Sequence, residues 1–210
     1  MRITAVEKTK KGRYAVFLDN VFAFSADAET TALCHLTVGR ELSEDDCEQV
    51  KRQAETKYLK ERALRLLSFK SFSKAELVKR LAEYTDDRSD DAALEVVERL
   101  EELGLINDKE YAARVARDYY ARKGYGERRV MQELIRRGIT RELAEEAAQA
   151  NAPEAESALD KIIERRYAKY LTDPKGIRKT IQALARLGYP YDEIKAAISR
   201  YTDEDLYEQA

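Results

Sequence analysis

The sequence predicts a mainly α-helical protein: three tandem three-helix repeats in an elongated curved array, preceded by a small N-terminal β-meander. Three observations lead to this prediction. An apolar stripe with helical spacing recurs along the chain. The charged fraction is 37%, as in long-helix proteins whose helices keep a solvated face. Glycine (8) and proline (3) are scarce, and β-branched and aromatic residues concentrate near the start of the chain, which predicts strands there.

The N-terminal segment is expected to form three antiparallel strands, because a glycine turn and the pair Asp19-Asn20 separate its apolar runs. The predicted strands are residues 3–7, 13–18 and 21–25. So small a sheet is marginal alone, so Phe17, Phe22 or Phe24 should rest on the helices that follow. The alternative role for these aromatic residues is a stacking platform for nucleic acid.

The repeat is defined by residues 122–139, which predict one helix between two glycine breaks. At about 100° per residue, one side of this helix carries apolar residues and the opposite side carries arginines. The apolar residues are Val130, Met131, Leu134 and Ile135, and the basic ones are Arg128, Arg129, Arg136 and Arg137. A copy at 176–188 aligns without a gap with 126–138, and a copy at 73–83 keeps the apolar stripe but not the basic side. Self-similarity of this kind indicates stacked helical units.

The predicted domains are residues 1–52 (meander and short helix), 53–106, 107–152 and 153–210 (three repeats, the last with an acidic tail). In residues 1–106, helices are expected at 28–36, 43–68 and 92–103, and another begins at a capping box at Ser73. In the second and third repeats, helices are expected at 110–122, 127–137, 140–149, 154–170, 175–187 and 191–201. In the helix at 92–103, Leu94, Val97, Leu100 and Leu103 have core spacing. The tail, residues 202–210, is expected to be loose.

Charge is unevenly distributed, although the formal net charge is only −2. Residues 161–188 hold eight basic and two acidic side chains, whereas residues 83–110 hold eleven acidic and three basic ones. The small net charge gives no general argument for nucleic-acid binding, but a local basic region is compatible with a phosphate or an acidic protein groove as ligand.

No catalytic constellation, phosphate loop or cofactor motif is present, so we predict a protein without enzymatic activity and without a cofactor. Cys34, His35 and Cys47 could be interpreted as a partial metal site, but their spacing fits no zinc pattern and a fourth ligand is missing. Two cysteines make no disulfide framework, and no apolar run approaches the ~20 residues of a membrane span. We expect a cytoplasmic monomer.

The basic helix faces could be ordinary solvated surface, as most charge runs are. Their recurrence in two repeats favours a binding surface instead, since Arg128, Arg129 and Arg136 return as Arg178, Lys179 and Arg186. The predicted partner-binding or DNA-binding residues are Arg122, Lys123, Arg128, Arg129, Arg136, Arg137, Arg165, Arg166, Lys175, Arg178, Lys179 and Arg186.

Several stretches, in this order and spacing, resemble the RecX family of regulators of the recombinase RecA, and the resemblance covers essentially the whole chain. They are residues 16–25 in the strands, 63–68 and 73–81 in the first repeat, and 104–112, 122–126 and 134–139 in the second.

The resemblance implies a modular protein that binds in the groove of the RecA filament on single-stranded DNA. It implies that the protein would limit filament growth, ATP hydrolysis, strand exchange and the SOS coprotease activity. It also implies that the protein has no catalytic residues of its own. Direct contacts to DNA phosphates are possible in such a complex. Two alternative functions are suggested by the residues themselves. One is a stand-alone helical nucleic-acid-binding protein, and the other is a scaffold that binds another protein through the acidic residues 83–110.

Overall fold

The computed structural model describes residues 1–85 and 91–202, without the side chains of residues 155–157. Two compact units divide between Ile106 and Asn107. The predicted loose tail, except Thr202, and residues 86–90 of the acidic stretch 83–110 lie outside the described residues.

The first unit begins with the predicted meander, an antiparallel sheet in the order β1-β2-β3. Its strands are Ile3–Lys8, Tyr14–Leu18 and Val21–Ala26. Asp19 and Asn20 both have positive φ, 47° and 69°, as a two-residue hairpin turn requires. Of Phe17, Phe22 and Phe24, at least one of which was expected to rest on the helices, Phe24 is buried in a core shared with Ala54. Phe22 is 51% exposed and packs edge-on against Phe17.

The helices of the first unit are α1 (Ala28–Leu33), α2 (Glu44–Phe69), α3 (Lys74–Ala82) and α4 (Asp91–Glu102). Helix α2 contributes to two cores, because Ala54 packs with the sheet while Leu59 packs with α3 and α4. The predicted capping box is present: the Ser73 hydroxyl accepts from the Glu76 amide, and the Glu76 carboxylate accepts from the Ser73 amide.

The core of the first repeat is filled by fully buried leucines, each worth roughly 1.5–3 kcal/mol of hydrophobic stabilisation. In α4 the expected stripe is partly wrong: Leu94 and Leu103 are 40% and 50% exposed, and the buried residues are Ala93, Val96, Val97 and Leu100. The small Ala93 and the β-branched Val96 turn inward, so the buried face is rotated relative to the leucine pattern.

The second unit contains two three-helix groups. The first is α5 (Asp108–Asp118), α6 (Glu127–Arg136) and α7 (Arg141–Ala150), and the second is α8 (Ala155–Ile162), α9 (Pro174–Arg186) and α10 (Tyr191–Ile198). Side-chain caps explain where several of them begin: Asn107, Thr140 and Asp173 each accept from an amide of the first turn. Pro174 occupies the first turn of α9, where a proline removes no helical hydrogen bond.

The first helix of each three-helix group in the second unit, α5 or α8, ends earlier than the continuous α-helices predicted at 110–122 and 154–170. Helix α5 continues into a π-helical turn, Tyr119–Lys123. Helix α8 continues into a second one, Ile163–Tyr167, followed by a 3₁₀ turn, Ala168–Tyr170. The apolar stripe of α6 is also narrower than predicted, since Ile135 is 42% exposed while Val130 and Leu134 are buried.

Candidate binding surface

All twelve predicted binding residues lie in the second unit. Helix α6 and its C-cap carry four, and α9 carries four. The two π-helical turns carry the remaining four. Their surroundings differ, so they divide into cations tied to protein partners and cations that point into solvent.

Arg129 and Arg136 are tied to a buried carboxylate, Glu133, whose side chain is only 6% exposed. Arg129 Nη2 lies 2.7 Å from one oxygen of Glu133, and Arg136 Nη2 lies 2.5 Å from the other. Arg129 also stacks on the ring of Tyr125, 5.6 Å from its centroid. Much of the charge that the sequence places on this face is therefore neutralised within α6.

Arg137 belongs to the packing of the second repeat. It caps α6 and donates hydrogen bonds to the hydroxyls of Tyr119 (3.0 Å) and Tyr111 (2.9 Å). The pKa of Arg137 is raised above its usual value: burial opposes the charge, but the hydrogen bond to Tyr119 and the two phenols outweigh burial. The guanidinium is thus a permanent cation that fixes two tyrosines.

The third repeat presents its cations differently. Ala183 stands at the position of Glu133, so no carboxylate lies between Lys179 and Arg186, which correspond to Arg129 and Arg136. Both side chains are exposed, and neither forms an ion pair with the described residues. Lys179 and Arg186 therefore present their positive charge to solvent, unlike Arg129 and Arg136.

A glycine contact joins the two repeats of this unit. The amide of Gly126 donates to the carbonyl of Leu187 at 2.7 Å, and a Cβ at Gly126 would lie 2.7 Å from the carbonyl carbon of Gly188. A Cβ at Gly188, whose φ is +97°, would lie 2.5 Å from Cβ of Arg129. Only glycine lets these two backbones approach so closely.

A cleft of about 530 Å³ lies between the same two repeats. Of the predicted residues it contains Arg122, Arg165 and Arg166, and it also brings in residues that the sequence analysis did not select. These are Arg117, Lys161 and three tyrosines, Tyr120, Tyr125 and Tyr189. Tyr125, inside the glycine-flanked motif at 122–126, was the one sequence signal that could have indicated an aromatic lining.

Two tyrosines of the cleft, Tyr189 and Tyr120, are neutral at physiological pH. Burial, with a smaller contribution from Glu193, raises the pKa of Tyr189 to about 12. Burial also raises the pKa of Tyr120, whose hydroxyl donates to the carbonyl of Ala148 at 2.9 Å. The pKa of Glu193 is raised by burial and by Asp192 and Glu127, against the lowering effect of Arg128. The lining thus combines neutral aromatic groups with permanent cations.

The described part of the chain contains neither a metal-binding cluster nor a membrane-spanning helix. Its His, Cys, Asp and Glu side chains form no group of three or more that could hold a metal ion, and Cys34 and Cys47 are free thiols. Within residues 1–85 and 91–202, no helix is both long and apolar enough to cross a membrane.

Three family models match this chain, and together they cover more than half of it. They describe the regulatory protein RecX N-terminal domain (residues 1–43), the second three-helix domain of RecX (107–147) and the third three-helix domain of RecX (154–198). The chain belongs to the RecX family.

Two relatives named regulatory protein RecX match nearly the full length of this chain. A regulatory protein RecX from Caldanaerobacter subterraneus subsp. tengcongensis is 26% identical over 194 residues, 92% of this chain and 96% of the relative. That of Bacillus subtilis is 28% identical over 218 residues, 99% of this chain and 81% of the relative. A crystal structure of regulatory protein RecX superposes with a TM-score of 0.67 at 24% identity, covering 93% of this chain and 98% of the other, which shows a shared fold.

Proposed function

We propose that this RecX-family protein regulates RecA, mainly as an inhibitor, by binding in the groove of the RecA filament on single-stranded DNA. It would limit filament growth, ATP hydrolysis, strand exchange and the SOS coprotease activity. The proposal rests on the full-length similarity to proteins named regulatory protein RecX. Action on this recombinase would take place in the cytoplasm.

The structural observation that supports the proposal is the solvent-facing charge of the second unit. Lys175, Lys179 and Arg186 on α9 are exposed and form no ion pair with the described residues. Such cations attract an acidic protein groove or DNA phosphates across a Debye length of ~8–10 Å. Regulation would follow from occupancy, because a protein in the groove competes with contacts between recombinase subunits.

The test is single-stranded-DNA-dependent ATP hydrolysis by the cognate RecA, titrated with this protein. The main variant is Lys175→Glu, Lys179→Glu, Arg186→Glu. Its matched control, Arg114→Glu, Arg141→Glu, Lys195→Glu, makes the same charge change at exposed positions of the same unit. We expect the protein and the control to inhibit, and the α9 variant, folded by circular dichroism, to lose most inhibition. No inhibition by the unmodified protein would contradict the proposal.

The second candidate is a stand-alone helical nucleic-acid-binding protein, which the arginines and tyrosines of the cleft favour. Binding driven by phosphate contacts weakens steeply as salt rises, and it would need no recombinase. Salt-sensitive DNA binding together with unchanged ATP hydrolysis would select this candidate over filament regulation.

A further inference from the structure

The cleft between the second and third repeats has two matching walls. One wall is the π-helical turn Tyr119–Lys123 at the end of α5, and the other is the π-helical turn Ile163–Tyr167 at the end of α8. π-Helical turns are rare and frequently occur at functional sites. Here the two turns carry Arg122 on one wall and Arg165 and Arg166 on the other.

The charge of this cleft is strongly positive. Arg165, Arg166 and Lys161 line it, are exposed, and have no ion-pair partner among the described residues. Arg122 has only a loose pairing with Asp118, at 3.6 Å. Glu154 is the one carboxylate in the described lining. A cleft with this balance attracts an anion, and arginine forks suit phosphate in particular.

The tyrosines make the lining more specific than a basic patch. Tyr125 is fixed by the ring of Tyr119, 5.4 Å away, and by Arg129 above it. Tyr120 is fixed by its hydrogen bond to Ala148. Held in place in this way, the aromatic side chains offer flat, uncharged surface beside the cations. A ligand that uses both must carry a planar group next to its phosphate.

The volume of the cleft and the close backbone packing beside it agree with a ligand of this kind. A cleft of about 530 Å³ lies within the ~300–1,000 Å³ range of small-molecule sites. Gly124, with φ +65°, ends the first π-helical turn, and a Cβ there would lie 3.0 Å from Cδ1 of Ile162. This approach, together with the contact of Gly126 with Gly188, holds the walls at a fixed separation.

We infer that this cleft binds one nucleotide unit, with the phosphate on Arg122, Arg165 and Arg166 and the base against the tyrosines. Its expected source is an unpaired strand, because bases in a duplex are stacked and unavailable to side chains. With an unpaired strand as the ligand, the inference rests on the proposed function, since the filament supplies the single-stranded DNA. The free nucleotide is the other source of the same chemistry.

The test uses the full-length protein without any recombinase, so its failure is separate from failure of the proposed function. Binding is measured by fluorescence with a single-stranded oligonucleotide that contains 2-aminopurine, whose emission falls when the base stacks. A duplex of the same sequence, deoxyadenosine monophosphate and inorganic phosphate are tested as competitors. The cleft variant is Arg165→Glu, Arg166→Glu, and the control with the same charge change is Arg141→Glu, Lys195→Glu.

We expect quenching with the unmodified protein and the control. In the cleft variant, affinity should fall roughly tenfold or more, and the salt slope by about 1.4 for two lost phosphate contacts. If deoxyadenosine monophosphate competes at a concentration comparable to that of the oligonucleotide, the result would support a nucleotide-binding cleft whose ligand is the free nucleotide. Competition by inorganic phosphate alone, equal loss in both variants, or binding without quenching would overturn the inference.

Discussion

The amide of Gly126 donates a hydrogen bond of 2.7 Å to the carbonyl oxygen of Leu187, and through it the second repeat is joined to the third. The contact places the turn before α6 against the turn after α9, backbone against backbone. It also positions the walls of the cleft, because Gly124 and Gly126 flank Tyr125 at its edge. The stability of the second unit and the geometry of its cleft should therefore respond together to changes at these glycines.

Gly188→Ala should lower the free energy of unfolding by about 3 kcal/mol, because the methyl group would clash with Arg129 and the residue would keep a strained positive φ. Urea denaturation followed by circular dichroism measures this change. Gly104→Ala is the control, since its φ of +72° imposes the backbone strain while its methyl group would meet nothing within 4 Å. Equal losses in the two variants would show that the glycine contact is unimportant.

Glu133→Gln should destabilise the second repeat by about 1–2 kcal/mol, because it removes the charge that holds Arg129 and Arg136. Glu142→Gln, at an exposed position, should change stability by less than about 0.5 kcal/mol. Thermal denaturation of both proteins makes the comparison. A cycle with Arg129→Gln should give a coupling of about 0.5–2 kcal/mol, and zero coupling would contradict the ion pair.

Arg137→Lys retains the charge but cannot reach both tyrosine hydroxyls in the same way, so we expect a loss of about 1–2 kcal/mol in unfolding free energy. Arg128→Lys, at an exposed position, is the control and should be neutral. The two variants are compared by urea denaturation. If Arg137→Lys were as stable as the unmodified protein, the packing role of Arg137 would be wrong.

Asp27 should make the first unit sensitive to acid. Burial would raise the pKa of its carboxyl, but hydrogen bonds from Lys57 and Thr30 outweigh burial and hold the pKa well below its usual value. Because the folded pKa is depressed, the stabilisation is present above about pH 4, the unfolded value, and is lost as pH falls further. Asp27→Asn keeps a cap acceptor but loses the charge.

Unfolding free energies measured from pH 7 to pH 3 test this prediction. Asp27→Asn should be about 1–2 kcal/mol less stable than the unmodified protein at pH 7. The difference should shrink toward pH 3. Asp45→Asn, in the exposed first turn of α2, serves as the control for a general acid effect. A difference that stays constant with pH would contradict the depressed pKa.

The helical repeats, the meander and the main caps could be predicted from the sequence because each has a local signal. Apolar spacing marks the buried face of α6, and Ser73 with Glu76 marks the start of α3. The π-helical turns could not be predicted, since their residues fit an α-helix equally well. Ile135 was predicted to be buried but is exposed, because periodicity shows which face of a helix is apolar but not how much of that face the neighbouring helices cover.

The sequence indicated which helices carry the basic side chains, but not which of these side chains are paired within the protein. Sequence spacing puts Arg129 and Arg186 on equivalent faces, but it does not show that Glu133 neutralises the first of them. The cleft depends on side chains from two repeats, and a long-range backbone contact brings these repeats together. The role of the twelve selected residues in binding stays a prediction.

Cosedimentation with RecA filaments is the measurement that tests the central claim most directly. Filaments are assembled on single-stranded DNA with a slowly hydrolysed ATP analogue, and this protein is titrated in at physiological salt. We predict saturable recovery in the pellet with filaments, clearly greater than the recovery with DNA alone or with RecA alone, and a marked loss with Lys175→Glu, Lys179→Glu, Arg186→Glu. A protein that stays in the supernatant in every case would contradict the account.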